Sequence, residues 1–245
     1  MKNKVTAIIQ ARLESTRLPG KVLYPISKKP VLCHLIERVQ RSKTIDNILL
    51  VTTNREIDKT LGEYAKQYNC DVYYGKDKYV LNNIMSACNE YHVDIIVDIT
   101  ADCPLIDHRQ IDKLVKIYKN SNIYSYVANV INRSWPRGFD LQVYNPFTLG
   151  EWKRRIKEVS NLNHSGWNIM IREDKSKMFD FYSHMNYSEW RLCIDEKEDY
   201  ILIKAIFEHF KNNKFSYSDI VKFLLKRPEL LDINKHIIQK KAGLG

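Results

Sequence analysis

The 245-residue sequence predicts an α/β fold built on a mostly parallel, doubly wound sheet. Two observations carry that prediction. The runs "KVTAIIQA", "IDNILLVTTN" and "VDIIVDITADCPLI" are apolar almost throughout, as strands buried on both faces are. They alternate with segments of helical spacing, the pattern of a parallel sheet covered by helices. In such sheets ligands bind beyond the C-terminal ends of the strands. Chemistry is therefore expected at Gln10 to Lys21, Thr52 to Asn54 and Thr100 to Pro104.

Each element follows from its own pattern. After the first strand, "KPVLCHLIERVQRS" places Val31, Leu32, Leu35, Ile36 and Val39 at helical spacing. "REIDKTLGEYAKQYN" does the same with Ile57, Leu61, Tyr64 and Ala65. "CDVYYG" is a strand closed by Gly75, and "YVLNNIMSACNEYH" is helical. "DHRQIDKLVKIYKN" reads as a helix with Asp107 as its N-cap. Beyond Tyr124 the character changes. "YSYVANVINRSWPRGFDLQVYN" predicts strands around a long turn, and "PFTLGEWKRRIKEV" a helix with Pro146 near its start. "KMFDFYSHMNYSEWRLCID" is β-like, and "EDYILIKAIFEHFKN" and "YSDIVKFLLKRPELLDIN" are helical. No internal repeat, low-complexity segment or flexible linker interrupts the chain. The expectation is one domain over 1–245 in two parts, 1–123 and a β-rich 124–245 that covers the strand ends.

Composition narrows the classes. Hydrophobic residues make up 44% and charged residues 28%, which suits an ordinary globular core. No apolar run approaches the ~18–20 residues of a membrane helix, and Arg12 interrupts the first apolar stretch too early for a signal peptide. A cytoplasmic protein is expected, with no membrane partner. The five cysteines are widely spaced and form no CxxC pair, so reduced, buried thiols are expected. The net charge of +10 raises nucleic acid as a partner. The excess is mostly lysine spread along helices and the tail, and charge speaks to steering rather than fold. A small polyanionic substrate fits as well, and no nucleic-acid partner is expected.

The turn after the first strand, "ARLESTRLPGK", holds Arg12, Ser15, Thr16, Arg17 and Lys21. A loop leaving a strand for a helix offers backbone N–H groups and a dipole to phosphate. Arginines add bidentate donors and lysine a point charge. The stretch is neither a P-loop nor a GxGxxG fingerprint, and by itself it also reads as a solvated cationic loop. Asp102 in "TADCP" and Asp195 in "CIDEKED" each close a strand-like run. Two carboxylates converging on a cationic phosphate loop would hold a magnesium nucleotide. Taken singly they also read as a turn cap and a helix N-cap.

These motifs closely resemble the sugar-activating cytidylyltransferases, the CMP-KDO synthetase and acylneuraminate cytidylyltransferase group, nearest its SpsF-type spore-coat-polysaccharide branch. Ala11, Arg12, Ser15, Arg17, Leu18, Pro19, Gly20 and Lys21 match A-R-x-x-S-x-R-L-P-G-K. "VDITADCPLID" resembles R-x-T-G-D-C-P-L-I-D, and "WPRGFDLQVY" resembles Y-P-D-G-L-D-V-E-V-F. "LCIDEKEDYILIKAIFE" and "RPELLDIN" resemble V-D-T-P-E-D-L-E-L-V and R-P-E-L-x-x-x-N. The resemblance covers nearly the whole chain.

It implies a Rossmann-like nucleotide-diphospho-sugar transferase fold and CTP as substrate. Arg12, Ser15, Arg17 and Lys21 would bind its triphosphate, Ala11 would also contact the nucleotide, and Thr52, Thr53, Asn54 and Thr100 would lie near the cytidine. Residues 1–123 would be the nucleotide-binding part and 124–245 the acceptor-binding and dimerisation part. Asp102 and Asp195 would bind Mg2+, and Arg12, Lys21 and Asp102 would be catalytic. The reaction would join CMP to a small anionic acceptor, an acidic sugar, releasing pyrophosphate for surface glycan synthesis, in a homodimer. Arg137, Asp140, Gln142 and His164 are the acceptor candidates; His164 also reads as a structural turn histidine. Three departures stand out. Glu14 puts an anion in the phosphate loop, tolerable only if it turns outward or pairs with an arginine. Asn82 and Asn83 stand where the branch carries an arginine, and Arg137 stands where an acid is common. Another nucleotide, a phosphate- or phosphonate-bearing acceptor, a silent nucleotide-binding protein and a nucleic-acid binder remain as rival readings.

Overall fold

A computed structural model describes residues 3–76, 79–155 and 174–239. Strand β1 (Val5–Gln10) leads through the basic loop to a single 3-10 turn, Lys21–Leu23. A two-residue hairpin follows, β2 (Pro25–Ile26) with β3 (Lys29–Pro30), turned by Ser27 and Lys28 at positive φ. Only then does α1 (Val31–Val39) begin. The loop therefore does not enter an α-helix, and the helix-dipole part of the phosphate-site expectation is corrected. Pro25 and Pro30 explain the delay, because the chain before a proline is biased to extended conformations.

The expected alternation follows: β4 (Asn47–Thr53), α2 (Glu56–Gln67), β5 (Asp71–Gly75), α3 (Val80–Glu90), β6 (Ile95–Thr100) and α4 (His108–Lys119). Asp107 caps α4, its carboxylate accepting from the Arg109 N–H. Then come β7 (Tyr126–Ala128), β8 (Gln142–Tyr144), α5 (Pro146–Arg155), β9 (Met178–Asp180), α6 (Lys197–Phe210) and α7 (Tyr217–Lys226). The β-like stretch after Met178 contributes only β9 to the sheet. Its continuation is tied by irregular bonds, such as the Ser183 N–H to the Ser134 hydroxyl and the Tyr187 N–H to the Ser134 carbonyl. Helix α7 stops before Pro228, which cannot donate within a helix, and the "PELLDI" segment forms a 3-10 turn instead.

The sheet runs β5-β4-β1-β6-β8-β7-β9. Strands β5, β4, β1 and β6 are parallel; β8 is antiparallel to both β6 and β7, and β9 is parallel to β7. The β-rich second part thus extends the central sheet. Helices α1, α2 and α4 cover one face through Leu35, Leu61 and Leu114. Helices α3 and α5 cover the other through Leu81, Ile84 and Leu149. From β1 the order moves outward to β4 and β5, then restarts on the other side with β6. That reversal puts the loop after β1 beside the loop after β6, the place where such sheets bind ligands.

A third apolar cluster positions the site. Helices α6 and α7, through Leu202, Ile206, Phe207 and Leu224, pack against Leu18, Leu105, Phe139, Leu192 and Ile194. Those five belong to the basic loop, the segment after Asp102, the turn containing Arg137, and the approach to Asp195. Each side chain so buried contributes about 1.5–3 kcal/mol. One hydrophobic contact set therefore fixes four separate pieces of chain against one another.

Candidate active site

The basic loop is closed by backbone and by a buried acid. The Gly20 N–H donates to the Leu13 carbonyl at 2.9 Å, with Gly20 at φ +70°, a conformation that favours glycine. The Ser15 hydroxyl accepts from the Leu18 N–H at 3.3 Å. Asp58, fully buried in the first turn of α2, accepts the Leu13 N–H at 2.8 Å. It also takes the Thr53 hydroxyl and the Arg55 guanidinium, which hold its carboxyl below the ordinary range against the opposing pull of burial. Asp58 was not legible as a site residue, because an acid in a helix's first turn is ordinary. Glu14 points out of the loop. It is 69% exposed and pairs with Arg55, which resolves the oddity of an anion among the loop's cations. Arg12 is exposed.

Lys21 brings the two predicted acids together. Its Nζ donates to Asp102 Oδ2 at 2.7 Å and to Asp195 Oδ1 at 2.6 Å. Arg17 reaches the same Asp195 oxygen at 2.9 Å and Glu196 at 3.5 Å. The Ile194 N–H donates to the Asp102 carbonyl at 2.8 Å, so the backbones of both acids are tied as well. Burial opposes charge on Lys21, but the two carboxylates outweigh it and raise its pKa above the ordinary value. Burial would raise Asp195; Lys21, Arg17 and Arg191 overcome it and pull the carboxyl down to about 2. Asp195 is not the N-cap of α6, a position held by Glu196 in a capping box with Asp199.

The acceptor candidates are partly gathered. Arg133 grips Asp140 with both arms, at 2.6 and 2.8 Å, so the Asp140 carboxylate is already engaged. Arg133 was not predicted; in sequence it is one arginine in a polar turn. Arg137 is half-buried, and its backbone bridges to the segment of Arg191 through Trp190 and Leu192. Burial, with repulsion from Arg133 next, pushes its pKa down. Gln142 accepts the Tyr126 hydroxyl at 2.6 Å, next to a second unpredicted acid. That acid is Asp98, buried in mid-β6, which takes Gln10 and the Tyr144 hydroxyl, the latter at 2.6 Å. Of the nucleotide candidates, Thr53, Asn54 and Thr100 stand at strand ends, and Ala11 is half-buried just after β1. The Thr100 hydroxyl lies 3.2 Å from Cys103 Sγ. Thr52 is 2% exposed, and its hydroxyl has no hydrogen-bond partner among the described residues. His164 lies outside the described residues.

Residues 6–140, more than half of the chain, match the family described as cytidylyltransferase. The chain belongs to that family. It is 27% identical over 237 residues to the spore coat polysaccharide biosynthesis protein SpsF of Bacillus subtilis, covering 93% of this chain and 96% of that one. It is 29% identical over 202 residues to the 3-deoxy-manno-octulosonate cytidylyltransferase of Christiangramia forsetii, covering 78% and 74%. A solved cytidylyltransferase from Leptospira borgpetersenii superposes with a TM-score of 0.90 at 29% identity, covering 98% and 100%. The family match contains the basic loop and Asp102, whereas Asp195 lies beyond residue 140. In this cytidylyltransferase the third apolar cluster carries Asp195 back to the loop.

The donor set suits a hard divalent cation. Two carboxylates meet at one ammonium group, and no group of three or more His, Cys, Asp and Glu side chains able to hold a metal occurs among the described residues. Mg2+ is commonly held by one or two carboxylates, with substrate phosphates and waters completing its shell. Asp102 and Asp195 fit that role.

Proposed function

We propose that this enzyme transfers CMP from CTP to a small anionic acceptor, an acidic sugar, releasing pyrophosphate for surface-polysaccharide synthesis. The observation that carries the reading is Lys21 joined to both Asp102 and Asp195 at the end of an arginine-bearing loop. The printed names of two relatives, one in spore-coat polysaccharide synthesis and one acting on 3-deoxy-manno-octulosonate, support the substrate class. Asp102 and Asp195 would hold Mg2+, which when bound supplies positive charge at the phosphates.

The chain's own residues then have distinct work. Arg12, Ser15 and Arg17 bind and orient the triphosphate, with bidentate donors matched to phosphate oxygens. An acceptor hydroxyl oxygen forms a bond to the α-phosphorus, the bond to the bridging oxygen breaks, and pyrophosphate leaves with its electron pair. The hydroxyl proton passes to solvent. Lys21 and Arg12 stabilise the charge that grows on the phosphate oxygens, where fixed cations are most effective. Thr53, Asn54 and Thr100 flank the nucleoside. Arg137 meets the acceptor's anionic group, and Arg133 holds Asp140 toward its hydroxyls. We place the enzyme in the cytoplasm as a homodimer; no described helix is long and apolar enough to cross a membrane, and exposed Tyr182 and Met185 offer contact surface.

The test is pyrophosphate release with each NTP, Mg2+ and a panel of acidic sugars and sugar phosphates. CTP with an acidic sugar should give release, and Asp102→Asn should abolish it with the fold intact. Release only with a phosphate-bearing acceptor would overturn the acidic-sugar assignment, and no release with any pair would favour a binding protein.

A further inference from the structure

We infer that Asp199, Arg191 and Asn234 are positioning residues that fix which oxygen of Asp195 faces the phosphate loop; this rests on Asp195 holding the metal as proposed above. Asp199 is fully buried in the first turn of α6. Its Oδ1 accepts Arg191 Nε and Asn234 Nδ2, both at 2.8 Å. Its Oδ2 accepts Arg191 Nη2 at 3.0 Å and the backbone N–H groups of Asp195 and Glu196, both at 2.9 Å. Five donors converge on one carboxylate, so Asp199 has little freedom to move.

The same Arg191 Nη2 also donates to Asp195 Oδ2 at 2.9 Å. The two oxygens of Asp195 are thereby divided. Oδ2 is held from behind by Arg191, and Oδ1 is presented to Lys21 and Arg17. A carboxylate restrained at one oxygen and through its own N–H cannot rotate to offer the other. Asn234 closes the arrangement from the far end of the chain. Its Nδ2 donates to the Arg191 carbonyl at 2.8 Å as well as to Asp199. This gives a role to "RPELLDIN", a segment far in sequence from every predicted site residue. Groups behind a metal ligand set its orientation, and losing one costs about 10–100-fold in metal affinity.

The experiment measures free Mn2+ by electron paramagnetic resonance as it titrates the full-length protein with CTP present. The same variants are assayed for the Mg2+ concentration giving half-maximal pyrophosphate release. Asn234→Ala should weaken Mn2+ binding about 10–100-fold, raise the half-saturating Mg2+ similarly, and leave the KM for CTP within about threefold. Arg191→Lys keeps the charge but lacks the fork that holds both acids, and should behave the same way. It keeps the test decisive if Asn234→Ala does not fold. Unchanged Mn2+ affinity in folded variants, with only a lower melting temperature, would overturn the positioning role while leaving the proposed function standing. A wild-type protein that neither binds Mn2+ with CTP nor releases pyrophosphate would overturn that function, and the positioning role with it.

Discussion

Replacing Asp195 by Asn should destabilise the folded protein in a pH-dependent way. The side chain is 11% exposed, and its carboxyl is drawn from the ordinary 3.8 down to about 2. Burial works against that shift, and Lys21, Arg17 and Arg191 outweigh it. Because the folded pKa lies below the unfolded one, the stability is fully present above about pH 4 and is lost as pH falls toward 2. At 1.36 kcal/mol per tenfold change, the contribution at pH 7 is about 2 kcal/mol. A chain of this length loses roughly 2–4 °C of melting temperature per kcal/mol. Asn mimics the protonated acid, so the variant should melt about 4–8 °C below wild type at pH 7. Near pH 3 the gap should shrink to roughly half, since the unfolded acid is by then mostly protonated. Calorimetry of both proteins at the two pH values reads this directly. Equal melting at pH 7, or a gap that does not narrow on acidification, would show that the three cations do not stabilise the ionised acid.

Three further outcomes follow from the loops around the site. Glu14→Ala should leave pyrophosphate release within about twofold of wild type, because Glu14 faces solvent and Arg55; a tenfold loss would put it on the phosphates. Asp58→Asn should cost about 2–4 kcal/mol in urea unfolding, since it removes a fully buried carboxylate from its hydrogen-bond donors. It should also raise the KM for CTP, because the Leu13 N–H that orders the loop loses its charged acceptor; an unchanged KM would separate the loop's order from Asp58. Gly138→Ala should lower the melting temperature by several degrees and impair acceptor use more than CTP use. Its φ is +96°, and an added Cβ would lie 2.1 Å from the Leu192 carbonyl oxygen. Wild-type melting in that variant would mean the turn can shift away from the Arg191 segment.

The parallel half of the sheet was legible because strands buried on both faces are written as continuous apolar runs, as in "IIQA" and "ILLV". The basic loop and both acids were legible for a related reason: they stand where those runs end. Three-residue strands such as β7 and β8 are too short to show alternation, so only their general β character could be read. The arginines were the harder case. Arg38, in an amphipathic helix, reads as a solvent-facing cation. It is 2% exposed and donates to the carbonyls of Leu105, Ile106, Asn213 and Phe215. Arg133 reads as a turn residue and turns out to hold Asp140. An Arg38 satisfied by partners 67 to 177 residues away leaves no local pattern, because spacing reports only which face of an element a residue occupies.

The ammonium of Lys21 has a consequence for the order in which reactants arrive. At rest both acids are already neutralised from within the chain, at 2.6 and 2.7 Å. A bare divalent ion would have to evict a bound cation and would gain only two carboxylates for doing so. A triphosphate bound as proposed would change that balance, because its oxygens would give Lys21 and Arg17 new anionic partners and release the acids. Mg2+ and CTP should therefore enter as a pair, with the metal bound weakly when alone. With Lys21 between them, Asp102 and Asp195 would meet any divalent ion arriving alone as a masked pair of acids instead of an open chelating site.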